Sequence, residues 1–437
     1  MTRLTGCLLL LIAAPPIALA LTPISTDTTI NDATYAGEGI EVTQGAASTT
    51  VQIQPGAQIG AETLPQGIGT LDTSVLARDD SHVQVSGGTL DGAFLLQDTA
   101  QLTVTGAPTI LYHTGVEVDG TANTIVCSGA TITKDIDLNA GTPSVTMHGG
   151  SVLTRDFIDI NTYQPGQFST VHISNITTAE RDFIDFYGRG SVTLTNVSTG
   201  YDAIQAREAV DATGSTVTWT GGSVDSDDGT PTGESDALDI YWDMVVDVDG
   251  VNLKGVDAMD GNNTSVSTLS NLTITGRDAV DAYGSSEITL NNVTIIGDDA
   301  VEAFGDTTIL LNDVHVDGDD ATHAKHNGTL TLRNVTLTNP GTAAVDGHQV
   351  YAEGTSIITV VGRDFTIDGV PIGPGDVAAT AGRLVVTNLD GTTFDGYFRR
   401  DATATVRLEV PEPCSAALLI DGSVAGAWMR RRSRMRR

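Results

Sequence analysis

The sequence predicts an all-β chain: a right-handed parallel β-helix solenoid built from rungs of about 21 residues, closed by a β-rich C-terminal cap. Three observations carry this. The tripeptides Asp236-Ala237-Leu238, Asp257-Ala258-Met259, Asp278-Ala279-Val280 and Asp299-Ala300-Val301 follow at a constant interval of 21, and Asp320-Ala321-Thr322 continues it. A second column, Leu272, Val293, Val314 and Val335, keeps the same interval, each preceded by Asn271, Asn292, Asp313 or Asn334. Between the columns, apolar residues alternate with period two in short runs broken by Gly, Asn and Asp, which is strand and turn chemistry with no helical spacing.

Each element of a unit follows from this pattern. Ile288-Thr289-Leu290 is one strand, Asn291-Asn292 a turn, and Val293-Thr294-Ile295 a second strand. Gly297-Asp298-Asp299 makes the next turn, Val301-Glu302-Ala303 is a third strand, and Gly305-Asp306 closes the rung. Alternation places Ile288, Leu290, Val293, Ile295, Val301 and Ala303 inward, each stacked on its counterpart one rung away. Asn at a fixed turn satisfies neighbouring backbone groups and stacks into a ladder. A propeller blade needs about 40 residues or more, and sandwich strands do not hold so constant a register. Looser copies, Asp156-Phe157-Ile158, Asp182-Phe183-Ile184 and Asp202-Ala203-Ile204, carry the texture toward the N-terminus, as do Val83-Gln84-Val85, Leu102-Thr103-Val104 and Val145-Thr146-Met147. The solenoid is placed at 21–345, roughly a dozen rungs. Residues 346–410 break the period with longer strands, such as Ile357-Ile358-Thr359-Val360 and Arg383-Leu384-Val385-Val386, and form the cap a solenoid needs over its last apolar layer.

The two ends read as addresses. Residues 1–20 have a basic start at Arg3, an apolar stretch beginning Leu8 to Ile12, and Ala18-Leu19-Ala20 before a cleavage point, the form of a secretory signal handled by the Sec machinery. At the other end Pro411-Glu412-Pro413 precedes an apolar stretch from Cys414 to Met429 and then Arg430 to Arg437, a cluster that would stay on the cytoplasmic side of a bilayer. These three parts in order, over 411–437, resemble the PEP-CTERM sorting signal. The resemblance implies passage across the inner membrane of a Gram-negative bacterium, transient anchoring through 414–429, processing by an exosortase, and delivery to the cell surface or the extracellular polysaccharide matrix. The segment departs from a full spanning helix in carrying Asp421 and in being shorter than about 20 residues. Cys7 and Cys414 lie in these ends, so Cys127 alone remains in the body and no intrachain disulfide is available there.

The charge sharpens once the addresses are set aside. The chain has 22 Lys+Arg, 55 Asp+Glu and a formal net charge of -33. Removing Arg3, the six tail arginines and Asp421 leaves about 15 basic against about 54 acidic residues, a formal charge of about -39. Such a body excludes nucleic acid as a partner, because phosphate binding needs concentrated Lys and Arg.

Much of this charge falls at the rung period. One column is Asp236, Asp257, Asp278, Asp299 and Asp320, at a turn. The other is Asp239, Asp260, Asp281, Glu302 and His323, on the outward side of a strand. Adjacent rungs lie about 4.8 Å apart, and carboxylates at that spacing favour protons or bound cations. Calcium, which takes several carboxylate oxygens together, is the implied ion, with Asp257, Asp260, Asp278, Asp281, Asp299, Glu302 and Asp320 as candidate ligands. The plainer account is that turn Asp residues cap backbone amides and the outward ones keep the protein soluble. Gly297-Asp298-Asp299 and Gly318-Asp319-Asp320 resemble the Gly-Asp-Asp element of polygalacturonases, which are β-helix hydrolases; the resemblance makes Asp298, Asp299, Asp319 and Asp320 candidate acids or bases. The accompanying Asn-Thr-Asp, Gly-His-Gly and Arg-Ile-Lys segments of that family are missing. A lyase of the pectate-lyase kind would pair calcium-binding carboxylates with a base such as Arg277, Lys325, Arg155, Arg181 or Arg207. His315, His323 and His326 in one rung raise a transition-metal site against the plainer account of solvated histidines. Two classes of function therefore stand: a non-catalytic acidic component of the surface or matrix that binds polysaccharide or calcium, and a lyase or hydrolase acting on acidic polysaccharide.

Overall fold

The computed structural model describes residues 21–411, apart from 46–47, 67–68, 111–113, 155, 179–182, 201, 207–208, 210, 227–235 and 339–347. The signal segment, Glu412, Pro413, the apolar stretch 414–429 and Arg155, Arg181 and Arg207 lie outside the described residues. Among the described residues every regular element is a strand, and no helix is long and apolar enough to cross a membrane.

The chain is a parallel β-helix. In the most regular part a rung comprises Asp278–Ala282, Glu287–Asn291 and Thr294–Ile296. Each strand pairs in parallel with its equivalent 21 residues later: Asp278 with Asp299, Ile288 with Ile309, and Ile295 with Val316. The first of these strands belongs to a single sheet of 20 strands running the length of the molecule. The other two faces are continuous with one another where long strands such as Thr216–Asp225 and Val245–Lys254 turn the corner between them.

That corner explains the Asn column. Asn175, Asn196, Asn271, Asn292, Asp313 and Asn334 all have positive φ, between 51° and 57°, a region that Asn and Asp enter more readily than other side chains. Gly221 and Gly250 occupy the same corner in the two rungs between. The side chains also link rungs: Asn292 Nδ2 donates to Asn271 Oδ1 at 2.9 Å and Asn334 Nδ2 to Asp313 Oδ1 at 2.7 Å.

The main core cluster runs along the solenoid. Ile288, Leu290, Val293, Ile295, Val301 and Ala303 are all buried, as alternation requires. Among the described residues Trp219 is the largest fully buried side chain, and its indole Nε1 donates to the Gly221 carbonyl at 3.1 Å.

Residues 348–410 are not a separate layer. Tyr351 pairs in parallel with His323, and Ile357–Val361 with Thr329–Arg333. Thr393–Arg400 and Thr405–Glu409 then add a further parallel turn. The period breaks because Asp364–Ile367, Val370–Ile372 and Ala381–Thr387 are inserted as an antiparallel ribbon between these strands. The stacking thus continues past the expected boundary at 345, and the ribbon closes the end.

Candidate functional site

The outward side of the 20-stranded sheet carries a ladder of carboxylates. Parallel pairing aligns Glu117, Asp137, Asp159 and Asp185 in successive rungs, then Gln205, then Asp239, Asp260, Asp281 and Glu302. The column ends in His323, Tyr351 and Arg399. Gln205 therefore separates two groups of four acids, and basic and aromatic side chains close the second group.

The column faces outward, yet it is not a solvated face. Asp185, Asp239, Asp281 and Glu302 are only 7%, 2%, 6% and 7% exposed. Their neighbours two residues along share the outward side and shield them. Tyr283 OH donates to Asp281 Oδ2 at 3.0 Å. The Tyr283 and Phe304 rings stack at 4.7 Å between centroids, and Lys325 Nζ lies 4.3 Å from the Phe304 centroid. Asp281 Oδ1 is buried and accepts no hydrogen bond.

Burial and like charge act on this column as electrostatics requires. Burial, reinforced by Glu302 beside it, pushes the Asp281 carboxyl up to about 8. Burial, with Asp159 and Glu117 on either side, pushes Asp137 up to about 8 as well. Glu302 goes the other way. Burial opposes its charge, but hydrogen bonds from His323 and Lys325 hold its carboxyl below the ordinary value. His323 Nδ1 lies 3.0 Å from Glu302 Oε1, and Lys325 Nζ lies 3.0 Å from the same oxygen.

The turn column is in register too: Asp236, Asp257, Asp278, Asp299 and Asp320 stack one above another. Arg277 serves it, with Nη2 2.7 Å from Asp278 Oδ2 and 3.6 Å from Asp257 Oδ1. Asp299 is raised by burial and by Glu302.

Among the described residues the two columns converge at one place. Asp236, Asp239 and Asp260 each offer a carboxylate oxygen, and the three oxygens lie within 4.8 Å of one another. Calcium holds its oxygens at about 2.3–2.6 Å, which sets ligand oxygens at most about 5 Å apart, so this trio fits a calcium-sized ion. Of the seven predicted ligands, Asp260 alone belongs to the trio. Glu302 has basic partners of its own, and Asp278 has Arg277. Asp236 and Asp239 are the first members of the two regular columns, so the period that predicts the columns also points to them.

Other predicted sites separate. Each Gly-Asp-Asp pair splits: Asp298 and Asp319 are exposed and line a shallow groove with Arg277, Ile296 and Asp317. Asp299 and Asp320 turn instead into the in-register column. The polygalacturonase-like pair is thus two unrelated environments. The histidines do not converge. His315 is hydrogen-bonded to Thr336 and Thr338 and His323 to Glu302, while His326 occupies a positive-φ turn.

The acids Glu117, Asp137, Asp159 and Asp185 were not legible from spacing, because their intervals vary. Their signal is compositional: Ile136-Asp137-Leu138, Ile158-Asp159-Ile160 and Ile184-Asp185-Phe186 each set an acid between inward apolar residues. The fold and this site define the molecule as a parallel β-helix with a partly buried acidic ladder on one outer face. No family profile, curated protein or solved structure matches the chain.

Proposed function

We propose that this protein is an exported acidic β-helix of the bacterial cell surface or extracellular polysaccharide matrix, sorted by an exosortase, with a binding rather than a catalytic role. The observation that carries the binding role is the in-register carboxylate ladder, in which Asp281 is buried between Asp260 and Glu302 with one carboxylate oxygen that accepts no hydrogen bond, an environment that favours a proton or a cation. Divalent cations, calcium in particular, are the ligands its oxygen-only chemistry suits. Export and sorting rest on the sequence ends alone. Their test is fractionation of a strain with and without its exosortase: surface delivery that persists without the enzyme, or with 411–437 deleted, sinks the sorting claim.

One observation favours a second reading, a polysaccharide hydrolase. Asp281 and Glu302 are neighbours in register whose pKa values move apart, the pattern of an acid and base pair. Their burial argues against it, since a catalytic carboxyl must reach its substrate. Turnover of acidic polysaccharides in the presence of calcium decides between the readings. Product formation lost in both Asp281→Asn and Glu302→Gln would replace the binding role with hydrolysis.

A further inference from the structure

The N-terminal half of a different outer face carries no Asp, Glu, Lys or Arg at its outward strand positions. Eight strands in succession, from Thr50–Ile53 to Thr216–Asp225, pair in parallel on the second face of the solenoid. Three outward positions of each strand align into columns. Ser191, Thr193 and Thr195, for example, lie beside Thr216, Thr218 and Thr220. Across the eight strands none of these positions is Asp, Glu, Lys or Arg; Thr, Ser and Gln fill nearly all of them, with three histidines and one valine. This is notable in a chain of formal charge -33. The array ends sharply, because Thr218 and Thr220 pair next with Asp247 and Asp249.

The array has a cleft at its N-terminal end. Gln52, Gln54, Gln84, Ser86, Thr103 and Thr105 line a groove of about 280 Å³. Two of the histidines are tied into the face by hydroxyls: His82 Nε2 lies 2.9 Å from Thr103 Oγ1, and His148 Nδ1 lies 2.9 Å from Ser174 Oγ. The groups repeat about every 4.8 Å between rungs and about every 6.6 Å along a strand. A surface of regularly spaced, uncharged donors and acceptors matches a partner of the same kind: a repeating chain, rich in hydroxyls and without charge.

We propose that this face, centred on the Gln52–Gln84–Thr103 groove, docks a neutral polysaccharide. The proposal rests on the matrix reading above and gives it a ligand and a location separate from the acidic ladder. An anionic chain would meet a strongly negative protein with no Lys or Arg on this face to receive it. Neutral hydroxyls, by contrast, exchange hydrogen bonds with the face at no desolvation cost for charge.

Affinity electrophoresis of the full chain through gels containing hydroxyethylcellulose, dextran or polygalacturonate tests this in EDTA, where cation binding plays no part. Retardation by at least one neutral polymer is expected. Thr103→Asp and Thr146→Asp each place a charge on the face and should weaken retention tenfold or more. Thr103→Ser and Thr146→Ser should retain it, as should Asp281→Asn on the other face; circular dichroism confirms folding of each variant. Free migration through both neutral gels overturns the proposal. So does retention by polygalacturonate alone, or equal loss in Asp281→Asn. Ice-growth inhibition by protein that no neutral polymer retards would assign the hydroxyl array to ordered water instead. Failure here leaves cation binding by the ladder, and export, to stand on their own tests.

Discussion

Replacing Asp281 by Asn should remove much of the molecule's pH sensitivity. The native carboxyl is 6% exposed and pushed up to about 8 by burial and Glu302, whereas the unfolded chain titrates near 4. Between about pH 4 and pH 8 the folded state therefore holds a proton that the unfolded state has released. Stability is greatest at the acidic side of this window and is lost as pH rises through the folded value. A rise of that size corresponds to about 5 kcal/mol between the protonated and ionised forms, spread over neighbouring rungs because their titrations are coupled. The substituted amide keeps the shape of the carboxyl and cannot ionise. Urea unfolding followed by circular dichroism at pH 5 and pH 9, in EDTA, measures the difference. The wild type should lose several kcal/mol more than Asp281→Asn on going from pH 5 to pH 9, and Asp137→Asn added to it should flatten the dependence further. Equal losses in wild type and Asp281→Asn would refute the reasoning, since the buried carboxyl would then not be what the proton stabilises.

Further tests address other parts of the structure. Lys325→Met leaves Glu302 with only His323 beside Asp281 and should cost about 2–3 kcal/mol at pH 8, read from the urea midpoint. Asn292→Ala places a side chain with no local hydrogen bond at φ 54° and breaks the link to Asn271, so a loss of about 1–2 kcal/mol is expected; Asn292→Gly should recover part of it. Trp219→Ala opens a cavity in the fully buried core and should cost about 3–5 kcal/mol, with the melting temperature as readout.

Much of the fold was legible because a solenoid writes its geometry as a period. Where the interval is 21, the inward residues, the Asn corner and both acidic columns could be read directly, and the structure aligns them in register. Where rung length varies, the same column exists but spacing hides it: Asp159 to Asp185 spans 26 residues and Gln205 to Asp239 spans 34, yet all four align. The turn beyond residue 345 escapes the period for a related reason, since an inserted antiparallel ribbon separates strands that stack in one turn. The environment of the acids was not legible at all. Alternation gives the side on which Asp281 points, but not that Tyr283, Phe304 and Lys325 close around the column. Three-dimensional neighbours across rungs also decide that Asp236, Asp239 and Asp260 converge while Asp298 and Asp299 diverge.

The most direct test of the acidic ladder as a proton and cation site is thermal unfolding at pH 8.5, where protonation no longer relieves the column. Metal-free protein is compared in EDTA and in calcium at about one hundred times its dissociation constant. Occupancy at that level stabilises by about 2.7 kcal/mol, so calcium should raise the melting temperature by several degrees, and Asp239→Asn with Asp260→Asn should abolish the rise. Superimposable wild-type curves in EDTA and calcium would contradict the account.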